Sequence, residues 1–541
     1  MLFGRKKWFK NAIVYQIYPL SFKDSNGDGV GDLQGVIDKL DYLNDGTSKS
    51  LGVNAIWLSP VYRSPLADFG YDIIDHCNID PIFGDLKIFD KLIFEAHKRG
   101  IKIIMDFVPN HTSDQHPWFV ESRSAPDNPK RDWYVWRDSK ENGTPPNNWQ
   151  SIFGGSAWTY DDKTNQYYLH QFYSRQPDLN FRNTEVINEI KKILRFWLDR
   201  GVDGFRVDAI YHLFEQESFG DEKYFSPGIS NGQRVRVPIH SETQGQPENI
   251  ELLRAMCGVV GSYKNRIIVS EVYADLSKVL RFYKPGEYFE FNMPFNFSLM
   301  ALKFEAHSFS ESVNYFFDKL HKYNIPNFVL GNHDNIRIAT KFGEKQARIM
   351  TMLVLTLGGV SFLYYGDEIG LKNTDIPADY PLSKVFNNSD RTPGDFRNDI
   401  RFCGRTPMHW STNINSGFTN GHPWLPVGTD FETRNVEIET SNSKSVLNFY
   451  KKLIYLKQHN FFLKYGKYVY IKNKEKDLYI YKRKTFFGSI TVILNFSSKE
   501  IIFPKDFVGK KINMSTHMDI EKGTRVKIGR VIRPFEGFIL Y

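Results

Sequence analysis

Short β-branched and aromatic runs recur along this 541-residue chain with helix-length segments between most of them, and that alternation constrains the fold more than any other feature. The runs are AIVYQIY (12–18), NAIWLSP (54–60), KIIMDFV (102–108), GFRVDA (204–209), RIIVSE (266–271), YFEFNMPF (288–295), NFVLGN (327–332) and SFLYYGD (361–367). Between them lie amphipathic stretches such as LKIFDKLIFEAHKRG (86–100) and VINEIKKILRFWLDRG (186–201). Each ends in basic residues and a glycine, as helix C-termini favour. Eight strands alternating with helices predict an α/β fold, a (β/α)8 TIM barrel. An open doubly wound sheet is the rival. It would want a glycine-rich GxGxxG turn after the first strand, and none is there.

Two stretches break the rhythm. After the third strand run comes DWYVWRDSKENGTPPNNWQSIFGGSAW, too long for a loop without structure of its own, so a small inserted domain is expected there. Past residue 460, YVYIKN, LYIYKR, SITVILNF and VIRPFEGFILY read as an antiparallel β domain. The expected organisation is therefore a barrel over 1–108 and 181–460, an inserted domain over 109–180, and a C-terminal β-sandwich over 461–541.

Composition narrows the function classes. With 41% hydrophobic residues the chain can bury a large core. Net charge is +8, but basic residues are dispersed and their densest runs, RKK at 5–7 and YKRK at 481–484, are short, so a solvated surface is expected rather than a nucleic-acid partner. The three cysteines form no CxxC pair or disulfide framework, which fits a reducing compartment. The start, MLFGRKKWFKNAIVYQIY, lacks the apolar core and small-residue cleavage site of a signal peptide, and no run approaches the ~18 apolar residues of a membrane span. A cytoplasmic monomer or homodimer without a membrane partner is expected.

Residues 24–32, DSNGDGVGD, match the first nine positions of an EF-hand calcium loop. Oxygen-bearing residues alternate and Gly29 sits where the sharp turn falls. The twelfth position, which should carry a bidentate Glu, is Gly35.

In a barrel of this kind chemistry gathers at the C-terminal ends of the strands. His111 falls just past the third run, Asp208 ends the fourth, Glu271 ends the fifth, and His333 and Asp334 follow the seventh. Three carboxylates and two histidines thus converge on one rim, with Arg206 two residues before Asp208. Paired carboxylates suit glycoside hydrolysis: one protonates the leaving oxygen, and the other attacks the anomeric carbon or activates a water. Arg206 would hold Asp208 ionised, and Glu271 would carry the proton. A metallohydrolase would want clustered histidines or an HExxH, and the chain has neither.

Four segments, DFVPNH (106–111), GFRVDAIYH (204–212), SEVYA (270–274) and VLGNHD (329–334), resemble the signature regions of the α-amylase family, glycoside hydrolase family 13. QPDLN (176–180) resembles the form of a fifth motif typical of its α-glucosidase and oligo-1,6-glucosidase branch. The resemblance runs from about residue 9 to 460. It implies that Asp208 is the nucleophile, Glu271 the general acid/base and Asp334 the acid that grips secondary hydroxyls. It further implies that His111, His333 and Arg206 serve the same sugar pocket, that Asp68 and Tyr71 close its non-reducing end, and that Phe153 and Phe172 wall it. Arg405 is the expected ion-pair partner of Asp68. Where the family often reads Arg-Asp before the Arg-Thr-Pro, this chain has Arg401-Phe402, which leaves Arg401 as the alternative partner. Ala209 is expected on the leaving-group side. The 24–32 loop resembles a structural Ca2+ (or Mg2+) loop with ligands Asp24, Asn26, Asp28, the Val30 carbonyl and Asp32. The implied activity is that of a retaining, exo-acting α-glucosidase on maltose-like α-1,4 glucosides. Glucosyl-transferring or isomerising enzymes, such as sucrose isomerases and trehalose synthases, share the framework. Transporter heavy chains are a non-catalytic alternative, but they need a membrane anchor.

Overall fold

A computed structural model describes residues 7–230, 233–283, 291–377, 379–381 and 400–541, with the side chains of 225–237 and 400 left out. Seven parallel strands form one sheet: β1 (Ile13–Ile17), β2 (Ala55–Leu58), β3 (Lys102–Phe107), β4 (Gly204–Val207), β5 (Ile267–Ser270), β6 (Asn327–Val329) and β7 (Val360–Tyr364). Their order is β5-β4-β3-β2-β1-β7-β6. Six fall within expected runs, β7 starts one residue before its run, and nearly every residue in the seven is buried. Burial on both faces is why the runs are almost continuously apolar rather than alternating.

The run at 288–295 behaves differently. Residues 288–290 lie outside the described residues, and 291–295 join no strand ladder. Asn292 makes a single parallel bridge to Ile268, and Met293 and Phe295 donate backbone N–H groups to Ile268 and Ser270 at 2.9 Å. On the other side Pro294 has no N–H to give. The Asn327 side chain serves instead, donating to the Pro294 carbonyl at 2.7 Å and accepting from Asn296 N at 3.0 Å. This segment thereby connects β5 to β6, and a side-chain amide stands in for part of the missing ladder.

Side chains alternate along each strand. Val14, Ala55, Ile104, Ile267, Val269, Val329 and Phe362 pack as one cluster with Met293 and Phe295, filling the barrel interior. The intervening Ile13, Tyr15, Ile56, Ile103, Phe205 and Ile268 pack outward, in one core with the surrounding helices. Helix α1 (Leu86–Lys98) begins on Asp85, whose carboxylate accepts from Ile88 N, and α2 (Thr184–Asp199) begins on Asn183, which accepts from Glu185 N. Each turns its apolar stripe inward: Phe89, Leu92 and Ala96 on α1, and Val186, Ile190, Leu194 and Trp197 on α2.

After β3 the chain makes a three-stranded antiparallel sheet, Trp136–Asp138, Trp158–Asp161 and Gln166–Leu169, over its own small core of Val135, Trp149, Ala157, Trp158 and Leu169. Near the C-terminus a five-stranded antiparallel sheet runs in the order Lys467–Tyr470, Leu478–Thr485, Gly488–Asn495, Gly537–Leu540, Ile512–Ser515. Among the described residues no helix is long and apolar enough to cross a membrane.

Candidate active site

The period of two explains where the polar side chains gather. Gln16, Trp57, Asp106 and Arg206 share the inward parity of Val14, Ala55 and Ile104, one pleat nearer the C-terminal end. They crown the apolar interior. Arg206, only 1% exposed, is the hub. Its Nη1 donates to Asp106 at 2.7 Å and to Asp208 at 2.6 Å, while Nη2 donates to Glu271. Trp57 Nε1 and the Tyr71 hydroxyl each donate to Asp106 Oδ2 at 3.0 Å, so this acid anchors the guanidinium.

Asp208 and Glu271 are held one strand apart by backbone. Asp208 N donates to the Phe107 carbonyl at 2.8 Å and Glu271 N to the Val207 carbonyl at 2.9 Å. Ala209, next in line, takes the left-handed conformation (φ 48°, ψ 31°), uncommon for a residue with a Cβ. That twist aims its N–H at Glu271 Oε2, 3.1 Å away. Glu271 is thus held through both oxygens.

Three carboxylates around one guanidinium leave an excess of negative charge in a buried site. Burial pushes Asp208 well above the ordinary carboxylate range, Arg206 opposes this, and the charges of Glu271 and Asp106 add to it. Burial likewise raises Asp106 to about 6, against the pull of Arg206. The expectation that Arg206 holds Asp208 ionised is met only in part: Arg206 pulls in that direction, and burial with the neighbouring acids pulls the other way. Asp106 and Asp208 each retain a proton to higher pH than an isolated acid would.

His333 and His111 are both lowered to about 3 by burial, so each is a neutral imidazole at physiological pH. Gln16 Nε2 lies 2.8 Å from His333 Nδ1, the Tyr71 hydroxyl lies 2.7 Å from Nε2, and the two rings stack at 5.3 Å. Burial would raise Asp334, but His333, Arg405 and Arg401 outweigh it and hold this acid well below the usual range.

One expected pairing is corrected. Arg405 does not meet Asp68: it donates from Nη2 to Asp334 at 2.8 Å and from Nε to the His333 carbonyl at 2.7 Å. Arg401 takes the other role, with Nη1 3.7 Å from Asp68 Oδ1 and 3.9 Å from Asp334 Oδ1. The physical reason is placement. Arg405 is buried beneath the rim, between Tyr18 and Phe69, whereas Arg401 leans across the mouth over the ring of Phe153.

These residues surround a cavity of about 330 Å3. Asp68, Tyr71, His111, Phe153, Phe172, Asp208, Ala209, Glu271, His333, Asp334 and Arg401 all line it. Arg206 and Arg405 stand behind its wall. Phe153 is 41% exposed and stacks on Tyr173 at 4.2 Å, with Phe172 tilted at 5.9 Å, so it is a rim residue rather than core packing. Sequence reading passed over Asp106, Gln176, Tyr273 and Asn335. Asp106 was legible as a lone charge inside an apolar strand run. Gln176, wholly buried, donates to Asp68 at 3.1 Å and lies 3.0 Å from His111 Nε2, joining two expected site residues.

The 24–32 loop lies apart from this cavity. Asp24, Asn26 and Asp28 each accept from the backbone N–H two residues on, at 2.9 Å. Asp24 also accepts from Gly27 N, Gly29 N and the Thr419 hydroxyl, and Asp32 accepts from Ser25 and caps the following helix through Gly35 N. Gly29 is required: its φ is +92°, and a Cβ there would sit 1.8 Å from the His422 carbonyl oxygen. The donors are the hard oxygens that Ca2+ or Mg2+ prefers. The fit to a cation is partial, because Asp24 and Asp32 are taken up by the loop's own N–H groups. Among the described residues no three His, Cys, Asp or Glu side chains converge as a metal cluster.

Comparison with known proteins places the chain. Residues 16–466 match the family model described as α-amylase, catalytic domain. An oligo-1,6-glucosidase from Parageobacillus thermoglucosidasius is 38% identical, covering 98% of each chain. An α-glucosidase from Apis mellifera is also 38% identical, over 93% of this chain and 88% of that one. Among solved structures, isomaltulose synthase from Erwinia rhapontici NX5 superposes with a TM-score of 0.85 at 33% identity, covering 99% of both chains.

Proposed function

The chain belongs to the α-amylase family of glycoside hydrolases, and we propose that it is a retaining, exo-acting α-glucosidase that releases glucose from the non-reducing end of short α-1,4 glucosides. One observation carries this reading. Asp208 and Glu271 are bound to the two terminal nitrogens of the same guanidinium, at the foot of a cavity whose mouth Arg401 spans toward Asp68. Carboxyls so joined suit the ~5–5.5 Å spacing of a retaining site rather than the wider gap that admits a water in an inverting one.

In this mechanism Glu271 gives its proton to the glycosidic oxygen as Asp208 attacks the anomeric carbon. The C–O bond to the leaving group breaks and a glucosyl ester forms on Asp208. Water, deprotonated by Glu271, then displaces the sugar and restores both groups. The neutral His111 and His333 offer ring N–H groups and lone pairs to sugar hydroxyls without adding charge. Asp334, kept ionised by the surrounding cations, accepts from secondary hydroxyls. Asp68 and Arg401 close the non-reducing end, which restricts cleavage to terminal units. Maltose hydrolysis followed by NMR from the first turnover tests the proposal: α-glucose should appear first, and β-glucose as first product would overturn it.

Transfer of the glucosyl unit to a sugar is the second reading, favoured by the 0.85 superposition on an isomaltulose synthase. Product chromatography after incubation with maltose, sucrose, isomaltose and trehalose separates the two. We further propose that the 24–32 loop takes a Ca2+ or Mg2+ ion for stability alone. The oxygen donor set supports this, and such an ion would brace the loop.

A further inference from the structure

The hairpin that joins Leu478–Thr485 to Gly488–Asn495 turns on Phe486 and Phe487. Thr485 pairs with Gly488, so the loop has two residues, and loops of that length favour Asn, Asp and Gly. Two phenylalanines stand there instead, 98% and 79% exposed. They have company. Phe487 meets Phe461 at 6.1 Å, Phe461 meets Tyr465 at 5.3 Å, and both of these rings are about half exposed. Four neighbouring exposed rings make one apolar patch, and a patch of this kind marks an interaction surface. It also breaks the local turn preference, as functional sites do.

Lysines stand directly behind the rings. Lys467 faces Lys484 across the two paired strands, and both are exposed. Like charges placed directly opposite destabilise a sheet, and an anion from outside would relieve this pair. Lys464 precedes Tyr465 in the helix Phe461–Tyr465. Lys464 and Lys467 also border a cleft of about 1200 Å3, where Lys7, Lys10 and Lys322 join them. Asp318 is the sole carboxylate among the described residues that line it. The sequence shows only short basic runs, and folding gathers them on one side.

The order of these groups selects the partner. Lys484 lies two residues behind Phe486, a setback of about 7 Å along an extended strand. An apolar tip foremost with cations behind it matches a bilayer surface, where interfacial apolar groups sink about 5–10 Å beneath anionic headgroups. A polysaccharide would want coplanar rings, whereas Phe486 and Phe487 stand at 87° and Phe461 and Phe487 at 62°. A second copy seated on the same face would set lysine against lysine. We propose that this aromatic tip and its lysine rim dock the protein on the surface of an anionic phospholipid bilayer. The expectation of no membrane partner rested on the lack of a spanning segment, which peripheral docking does not need. Asn11, Pro326 and Gly359, which precede β1, β6 and β7, wall the cleft beside the rim. The docking face therefore lies at the N-terminal end of the barrel, and the catalytic cavity at the other end stays open to soluble glucosides.

Vesicle cosedimentation tests the docking, with phosphatidylcholine alone and with phosphatidylcholine mixed with phosphatidylglycerol. The unaltered protein should bind the mixed vesicles, let go of them as salt is raised, and bind pure phosphatidylcholine far more weakly. Phe486→Ser combined with Phe487→Ser should weaken binding about tenfold or more. Lys467→Gln combined with Lys484→Gln should weaken it about 30-fold. All four positions are exposed and outside the catalytic cavity, so maltose turnover and the melting temperature should hold in both variants. No binding of the mixed vesicles would overturn the proposal, as would equal binding of the two compositions or full binding by the phenylalanine variant. Sedimentation velocity and titrations with starch and single-stranded RNA address the other occupants. A dimer that the phenylalanine variant breaks, or starch or RNA bound in place of vesicles, would overturn it too.

Discussion

Ala209 donates its backbone N–H to Glu271 Oε2 at 3.1 Å, so the residue that follows one proposed catalytic carboxylate orients the other. The contact exists because Ala209 is left-handed, with φ 48°. Strain at this one position is thus tied to the geometry of the proton donor. With Arg206 on Oε1, Glu271 is restrained in rotation before substrate arrives.

Glu271→Gln separates orientation from proton transfer. The amide oxygen can still accept from one of these donors, but the proton for the leaving oxygen is gone. The expected loss in kcat is about 10²–10⁴-fold on maltose. It should be far smaller on an aryl α-glucoside, whose leaving group needs little protonation. Equal losses on both substrates would contradict the assignment of Glu271 as acid.

The acid limb of the pH profile should belong to the cluster on Arg206. Burial raises Asp208, and the neighbouring charge of Asp106 raises it further. A raised carboxylate stays protonated to higher pH, so activity that needs the ionised form is lost as pH falls through that raised value. Asp106→Asn removes one negative charge, which makes Asp208 easier to ionise, and the acid limb of kcat/KM should move to lower pH. Activity will also drop because Arg206 loses an anchor, but direction is the test. A limb that stays still or moves upward would show that Asp106 does not tune the nucleophile.

The two arginines should fail differently. Arg405 is 1% exposed and holds Asp334 and the His333 carbonyl. Removing it as Arg405→Ala takes the closest cation from Asp334, which keeps Arg401 at 3.9 Å, and leaves the His333 carbonyl without its buried donor, at about 1–3 kcal/mol of stability. Arg401 lies at the mouth, so Arg401→Ala should raise KM for glucosides and leave the melting temperature within a degree or two. Thermal melts and Michaelis kinetics on both variants decide it. The assignment fails if Arg401→Ala is the one that melts early.

How much of this was legible in the sequence follows from the physics of each element. Barrel strands buried on both faces announce themselves as apolar runs, and a carboxylate ending such a run stands out, as Asp208 and Glu271 did. The run at 288–295 misled because Pro294 cannot donate and Asn327 supplies a hydrogen bond from its side chain, which no periodicity encodes. Arg401 and Arg405 were not separable, since both belong to one short segment and only folding puts one beneath the rim and the other across it. Asp106 shows in the sequence as a charge inside an apolar run, but its partner Arg206 and the partner Asp68 of Gln176 lie far along the chain, and no local pattern encodes those contacts.

If a cation braces the 24–32 loop, millimolar Ca2+ or Mg2+ should raise the melting midpoint over that in a strong chelator. An ion at 100 times its Kd adds about 2.7 kcal/mol to the native state. Turnover near room temperature should barely change, because the loop lies apart from the catalytic cavity. Asp28→Ala should erase the difference between the two midpoints. Identical midpoints for the unaltered protein would mean that the hydrogen bonds of Asp24 and Asp32 suffice to close the loop.

Ala209 also bears on linkage preference. Its side chain lines the cavity beside Asp208 and Glu271, where the second sugar of the substrate would lie. A small residue leaves room for the second ring of maltose, whereas a β-branched one is stiff and intrudes on it. One or two methyl groups gained or lost in such a pocket are worth ~1–3 kcal/mol, roughly 10–200-fold in discrimination. The unaltered enzyme is therefore expected to prefer maltose to isomaltose, and Ala209→Val to shift the ratio of kcat/KM values toward isomaltose. The substitution carries a cost that the geometry makes specific. At φ 48° a β-branched side chain is more strained than alanine, by about 1 kcal/mol or more, so the variant should also melt earlier. Ala209→Ser, unbranched at Cβ, separates the two effects, since it should leave the linkage ratio close to that of the unaltered enzyme. A higher kcat/KM on isomaltose than on maltose in the unaltered enzyme would show that other residues on the leaving-group side set the preference.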